Sequence, residues 1–405
     1  MSDSPTLDFE HELRSTFLSL RTALLALFDG AGVDPSAPYP ASRTLGLDKS
    51  LVWKVSKVVG ADEPAGAVRH IPGAAGMQKL LEGFREAGAS EDSLGAVRRA
   101  VDAVQSLVRD HTGDRATLDL MLAGMQAGDA LEGSRKQAFR GNSGIWGVQA
   151  RLRHSCFLLA PNDVAPERVD VALVSGYERF QRLRPGLAWP LMRLRSFGVD
   201  TTPSDAPTRV PIEPPGEAAE GQPSFLQAFC TRPLPEMRID RQGAVDVLVL
   251  EPGPVGKKGA ADLVFGDVDR ALGSVHRDAD DDWVEMRVEV TVPVEFLQLD
   301  LLVHESIRIA REPRFQVAGH LWGELPPPGD GSDLHGLPTD ASVQDLGVGA
   351  AAHGSSAFPR GPRILAAAFE HLGWDPRSFR GYRTTLKFPP LHTSGILRFQ
   401  LCERA

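Results

Sequence analysis

Apolar positions recur with a helical period through the first third of the chain. From Phe9 to Phe28 the series Leu13, Phe17, Leu20, Leu24, Leu27 predicts one long helix, and the run "DGAG" followed by Pro35, Pro38 and Pro40 stops it. The segment "IPGAAGMQKLLEGFREAGAS" predicts a second amphipathic helix closed by Gly88. Ser90 then caps a third, in which Leu94, Val97, Val101, Val104 and Val108 form one stripe, and "GDRATLDLMLAGM" predicts a further helix.

At Asn142 the period changes to two. In "GVQARLRHSCFLLA" the residues Val148, Ala150, Leu152, His154, Cys156 and Leu158 share one side, as in a strand with a single buried face. "WVEMRVEVTV" sets Val284, Met286, Val288, Val290 and Val292 against Glu285, Arg287 and Glu289, and "FLQLDLLVHE" resumes with Leu297, Leu299, Leu301 and Val303. "AVDVLVLE", "RFQVAGHLW", "YRTTLKF" and "GILRFQLCE" add strands, and "RILAAAFEHLGW" a short helix.

These patterns predict an α+β protein: an all-helical N-terminal domain over residues 1–140, then a larger α+β domain rich in antiparallel strands over 141–405. A length of 405 residues suits more than one core. Two Pro- and Gly-rich segments, Thr201–Ser224 and Glu324–Ser342, read as linkers or exposed loops. The stretch 201–224 either divides the second half or is a long insertion in it. There is no internal repeat at a fixed period.

Composition narrows the function. Hydrophobic residues make up 42% of the chain, yet "FLSLRTALLALF" is short and broken by Arg21, so no membrane partner is expected. The acidic start "MSDSPTLDFE" is unlike a signal peptide, and a cytoplasmic protein is expected. Cys156, Cys230 and Cys402 lack paired spacing, and are read as buried thiols rather than a disulfide framework or zinc site. The net charge of −9 counts against nucleic acid, but it is uneven. Residues 141–200 carry eight basic and five acidic residues, residues 201–405 twenty basic and twenty-nine acidic. Ala41–Gly60 is a basic island: Arg43, Lys49, Lys54 and Lys57 against Asp48 alone.

That island, "ASRTLGLDKSLVWKVSKVV", has the strongest local pattern. Ser42 is small, Gly46 follows four residues later between Leu45 and Leu47, and Val52 and Val55 fall six and nine residues after the glycine. Leu51, Val52, Val55, Val58 and Val59 share one face of the second helix, leaving Lys49, Ser50, Trp53, Lys54 and Lys57 outward. These twenty or so residues resemble the helix-turn-helix of bacterial DNA-binding regulators. The resemblance implies that the small residue lets two helices approach, the glycine takes the turn, and the outward side of the second helix meets DNA. Arg43, Lys49, Ser50, Lys54 and Lys57 are then the DNA-binding residues and Gly46 the turn. Two features depart from the pattern: Pro38 and Pro40 shorten the first helix, and Trp53 occupies a groove-facing position where a polar side chain is expected. The plain alternative is a helical corner with a solvated basic face.

No other motif carries chemistry as specific. "EPGPVGKKGAAD" lacks the spacing and the following Ser or Thr of a phosphate loop and predicts a hairpin loop. "GVGAAAHGSSAFPRG" lacks the glycine spacing of a dinucleotide site and reads as a flexible loop. The eleven histidines have no ligand spacing, with His304 and Glu305 adjacent on one strand, and "DADDD" at 278–282 lacks the rest of a calcium loop. No serine or cysteine has a nucleophile's local signature, so no catalytic residue, metal or cofactor is expected. "RFQRLRPGLAWPLMRLR", Arg179–Arg195, either adds phosphate contacts or lies as an arginine-rich surface beside the acidic domain. The expected function is a DNA-binding transcriptional regulator, with a C-terminal part that senses a small-molecule effector or forms a homo-oligomer. The alternative is an enzyme or assembly protein whose helical domain binds protein.

Overall fold

The computed structural model describes residues 5–62, 64–125, 129–194, 208–214, 224–242, 245–277, 283–320 and 336–404. The chain is mixed α+β, with a helical N-terminal region followed by a strand-rich one. It divides into two compact units, Met1–Ala130 and Leu131–Ala405.

The first unit contains α1 (Pro5–Gly30), α2 (Pro38–Thr44), α3 (Lys49–Val59), the single turn α4 (Pro64–Ala67), α5 (Ala74–Glu86), α6 (Glu91–Leu107) and α7 (Arg115–Met125). Its core is the face of α1 expected from the period, Phe9, Leu13, Phe17, Leu20, Leu24, Leu27 and Phe28, closed by Val52, Val55, Leu80, Phe84, Leu94 and Val97. Phe28 and Phe84 meet edge to face at 4.8 Å. Of the stripe on α6, Leu94 and Val97 are buried; Val101 and Val104 lie at its margin, where Ala100 and Leu107 complete the contact.

All but the first two residues of α8 (Asp129–Trp146) fall in the second unit, where the helix meets the end of β13 and neighbouring loops. Its Arg135 donates to the Lys387 carbonyl at 3.1 Å and to Asp340 at 2.9 Å, and Phe139 lies 5.4 Å from Phe388. The strands follow as β1 (Val148–Pro161), β2 (Arg168–Arg182), β3 (Trp189–Leu194), β4 (Thr208–Pro211), β5 (Met237–Gln242), β6 (Val245–Leu250) and β7 (Ala261–Ser274). After these come β8 (Val284–Val290), β9 (Val294–His304), β10 (Ile309–Gly319), β11 (Gly336–Leu337), β12 (Gln344–Val348), helix α9 (Gly361–Leu372), β13 (Phe379–Lys387) and β14 (Thr393–Leu401). A seven-stranded sheet runs β12-β13-β9-β1-β2-β7-β4, beside a four-stranded sheet β11-β10-β14-β8 and a three-stranded sheet β3-β6-β5. All pairs are antiparallel except β1 with β9.

The large sheet is covered on both faces, which changes the expected one-faced strands. On one face Phe157, Leu159, Leu297, Leu299, Leu301 and Val303 pack with Leu397, Phe399 and Val317 of the second sheet. On the other, Leu152, Cys156, Leu158 and Leu302 pack under Ile364, Leu365, Ala368 and Phe369 of α9. The central strands β1 and β9 therefore bury both of their sides. In β8, Glu285 does not turn to water: its carboxylate takes Arg287 Nε at 2.9 Å and lies 3.4 Å from Arg398.

Three loop readings also change. The described part of the 201–224 segment includes β4, which pairs with β7 at the sheet's edge. Strands before and after it, β2 and β7, share that sheet. The stretch 251–260 is no hairpin, because β6 and β7 belong to different sheets and a short 3₁₀ turn, Gly256–Gly259, joins them. Segment 347–361 is anchored: Ala350, Ala351, Ala357 and Phe358 are buried beneath α9 and over the sheet. The Asp278–Asp282 run and His335 lie outside the described residues.

Candidate nucleic-acid interface

Helices α2 and α3 are joined by a turn that satisfies its own backbone. Gly46 takes φ +62°, a left-handed conformation that a side chain disfavours. The Leu47 amide donates to the Ser42 carbonyl at 2.9 Å and the Gly46 amide to Arg43 at 3.4 Å, the two bonds of a Schellman closure. Asp48 caps α3, its carboxylate accepting from the Ser50 amide at 2.8 Å and the Leu51 amide at 3.3 Å. Hydrogen bonds from the Ser50 hydroxyl and those amides hold the Asp48 carboxyl below its usual range. Both prolines sit in the first turn of α2, where their missing N–H groups cost nothing.

Neighbouring helices hold this corner. Val52, Val55, Val58 and Val59 are buried, as are Ala41, Ser42 and Leu45 on the α2 side. Ser42 sends its hydroxyl proton to the Tyr39 carbonyl at 2.9 Å. Arg21 Nε of α1 donates to the Val59 carbonyl at 2.8 Å, placing a cation at the C-terminal end of α3. On α5, Gly83 faces the turn so closely that a Cβ there would lie 2.8 Å from Leu47 Cγ and 2.9 Å from the Leu45 carbonyl oxygen.

The opposite side of α3 is open. Lys49, Ser50, Trp53, Lys54 and Lys57 are exposed, and so is Arg43 on α2. Ser50 spends its hydroxyl proton on Asp48 and offers an approaching group only its lone pairs. Trp53 packs edge-on against His70 at 5.4 Å and carries Lys57 Nζ 5.7 Å from its ring, yet remains 43% exposed. Tyr39, which the sequence reading passed over, is 56% exposed; Lys49 Nζ stands 5.2 Å and Arg43 5.8 Å from its ring. Its signal was present, an aromatic between two prolines ahead of a basic helix. Between Tyr39 and Trp53 lies an open groove of about 580 Å³.

Several buried polar groups of the strand-rich unit hold the 353–360 segment. Arg383 grips Asp300 with two bonds of 2.7 and 2.9 Å and donates to the Gly354 carbonyl at 3.1 Å. Arg151 bonds Glu178 at 3.0 Å and the Ala357 carbonyl at 2.9 Å; Arg360 pairs with Asp262. His154 stacks on Phe358 at 4.2 Å, its Nε2 without a hydrogen-bond partner among the described residues. Burial, then Arg153 and Arg360, hold its pKa well below the ordinary value. Because these charges pair with one another and with backbone carbonyls, they fasten the segment to the sheet. On the β10–β14 pair, Ser394 Oγ lies 2.8 Å from His320 Nε2, but Ser394 is wholly buried in a strand hydrogen-bonded on both sides.

The basic stretch 179–195 is partly structural. Arg182 is buried, donating to the Leu187 carbonyl at 3.1 Å, and Arg184 donates to the Ile145 carbonyl at 3.0 Å; Arg195 lies outside the described residues. His304 ends β9 and Glu305 lies in the turn beyond it. Among the cysteines Cys156 is buried, with its thiol pushed well up in pKa by that burial, whereas Cys230 and Cys402 are half-buried. Among the described residues no three His, Cys, Asp or Glu side chains gather as a metal site, and no helix is long and apolar enough to cross a membrane.

No family model and no curated protein matches the chain. Among solved structures it aligns with a candidate protease from Parabacteroides distasonis at 9% identity and a TM-score of 0.25. The alignment covers 63% of this chain and 40% of that one. A likeness of this degree carries no argument about fold or activity.

Proposed function

We propose that α2 and α3 form a helix-turn-helix that reads duplex DNA, and that the protein is a DNA-binding regulator whose strand-rich unit senses an effector or brings copies together. One observation carries the reading: the corner built on Gly46 buries Ala41, Leu45, Val52, Val55, Val58 and Val59, with Leu47 and Leu51 half-buried, while leaving Arg43, Lys49, Lys54 and Lys57 exposed on the outer side. A recognition helix needs that division, since phosphate contacts position the protein and the remaining outward side chains meet base edges. The local excess of positive charge supplies the electrostatic part of binding despite the chain's net −9. The buried, paired charges of the second unit, and the full burial of Ser394, give catalysis less support.

The test is titration of fluorescent duplex DNA at several salt concentrations. Replacing Lys49, Lys54 and Lys57 together by alanine should weaken binding to all sequences and flatten the dependence of log K on log salt by about 0.9 for each phosphate no longer neutralised. Folding should be unaffected, because all three side chains lie off the buried face. Salt-insensitive binding, equal for wild type and variant, would remove the proposal.

A further inference from the structure

The groove between Tyr39 and Trp53 points to a sequence preference, an inference that rests on the DNA reading above. The groove is lined by Ala37, Pro38, Tyr39 and Pro40 at the start of α2 and by Asp48, Lys49, Ser50 and Trp53 at the start of α3. Neither proline has an N–H. The Ser50 amide and hydroxyl proton are both spent on Asp48. Those donors are not free to hold a phosphate, the Asp48 carboxylate lines the groove beside them, and the remaining lining is largely aromatic and aliphatic carbon. It fits an apolar group better than an anion.

Position on the helix says which apolar group. At about 100° per residue, Lys49, Trp53, Lys57, Ser50 and Lys54 follow one another round one arc of α3, which sets Trp53 between Lys49 on one side and Lys57 and Lys54 on the other. When lysines on both flanks reach the phosphates, the indole between them faces the base edges. The apolar group that duplex DNA exposes in its major groove is the C5-methyl of thymine. We propose that Trp53, with Tyr39, is a specificity-determining pair that takes thymine methyl groups, so that the protein prefers sites with thymine at one or two fixed positions. This gives a role to the residue that departs from the expected polar pattern. Cations around the groove and an anionic partner provide the complementary charge: Arg43 and Lys49 stand by Tyr39 and Lys57 by Trp53.

The experiment leaves the protein unaltered in its first arm. Duplexes selected from a random-sequence pool by the full-length protein are resynthesised with each thymine replaced in turn by uracil, which differs only by the methyl. Wild type should lose about fourfold in affinity at one or two positions, the value of one buried methyl-sized group at ~0.8 kcal/mol. In the second arm, Trp53→Ala should bind the thymine and uracil duplexes equally while keeping its salt dependence. Salt-dependent wild-type binding that is indifferent to every thymine-to-uracil change overturns the inference and leaves the DNA reading standing. So does a Trp53→Ala protein that retains the wild-type discrimination. Absence of salt-dependent binding by wild type overturns both.

Discussion

Replacing Gly83 by alanine sets two effects of known size against each other. Alanine in place of glycine inside a helix stabilises by about 1 kcal/mol. Against that, the new Cβ of Gly83→Ala would lie 2.8 Å from Leu47 Cγ and Cδ2 and 2.9 Å from the Leu45 carbonyl oxygen. Neither neighbour can swing away. Leu45 belongs to the turn closed by the Leu47-to-Ser42 bond, and Cγ is the branch point of the Leu47 side chain rather than a free end. Overpacking of this kind costs about 1–3 kcal/mol, so the sum should be a net destabilisation of up to about 2 kcal/mol. Gly95 in α6 is the internal control: its nearest neighbour is Arg99 Nη1 at 3.4 Å, the far end of a flexible chain. Gly95→Ala should therefore stabilise by about 1 kcal/mol. The helix contribution is common to both variants, so the gap between them, about 1–3 kcal/mol, isolates the steric one. Hydrogen exchange of full-length protein, read on peptides spanning residues 38–59, reports the opening of this unit without interference from the other. DNA affinity of Gly83→Ala should fall as well, because moving the turn re-aims α3. If Gly83→Ala slows exchange as much as Gly95→Ala, the close approach of α5 to the turn does not hold the corner, and the reasoning fails.

Two further outcomes test other parts of the structure. Asp48→Ala should destabilise α3 at neutral pH. The folded carboxyl lies below its ordinary range, so the capping contribution is full above that range and is lost as pH falls below it through the lowered folded value; circular dichroism melts of the variant and wild type should converge in acid, and a pH-independent gap would contradict the cap. In the strand-rich unit the depressed pKa of His154 means that the native state keeps it neutral while the unfolded chain takes up a proton below about pH 6.5. Its contribution is full above that pH and declines below it, so the denaturation midpoint of wild type should drop more between pH 7.5 and 5.5 than that of His154→Leu. Equal drops would show that His154 does not oppose protonation.

What the sequence determined by itself was local. The period of α1, the proline-limited start of α2, and the spacing of Leu45, Gly46, Leu47, Val52 and Val55 are set by contacts within a few residues, and the corresponding helices, turn and outward lysines lie where the pattern puts them. The alternation of β1 and β9 likewise located strands but misjudged their faces. A period of two separates one side of a strand from the other; it does not say whether a helix and a second sheet will cover both. Asp300 and Arg383 are 83 residues apart and become a pair only when β13 lies beside β9. The need for glycine at Gly83 arises from a turn far upstream, and that of the groove for Tyr39 from the angle at which α2 meets α3. Tertiary structure alone decided these, because burial, ion pairing and steric closeness depend on distances in space that spacing along the chain does not encode.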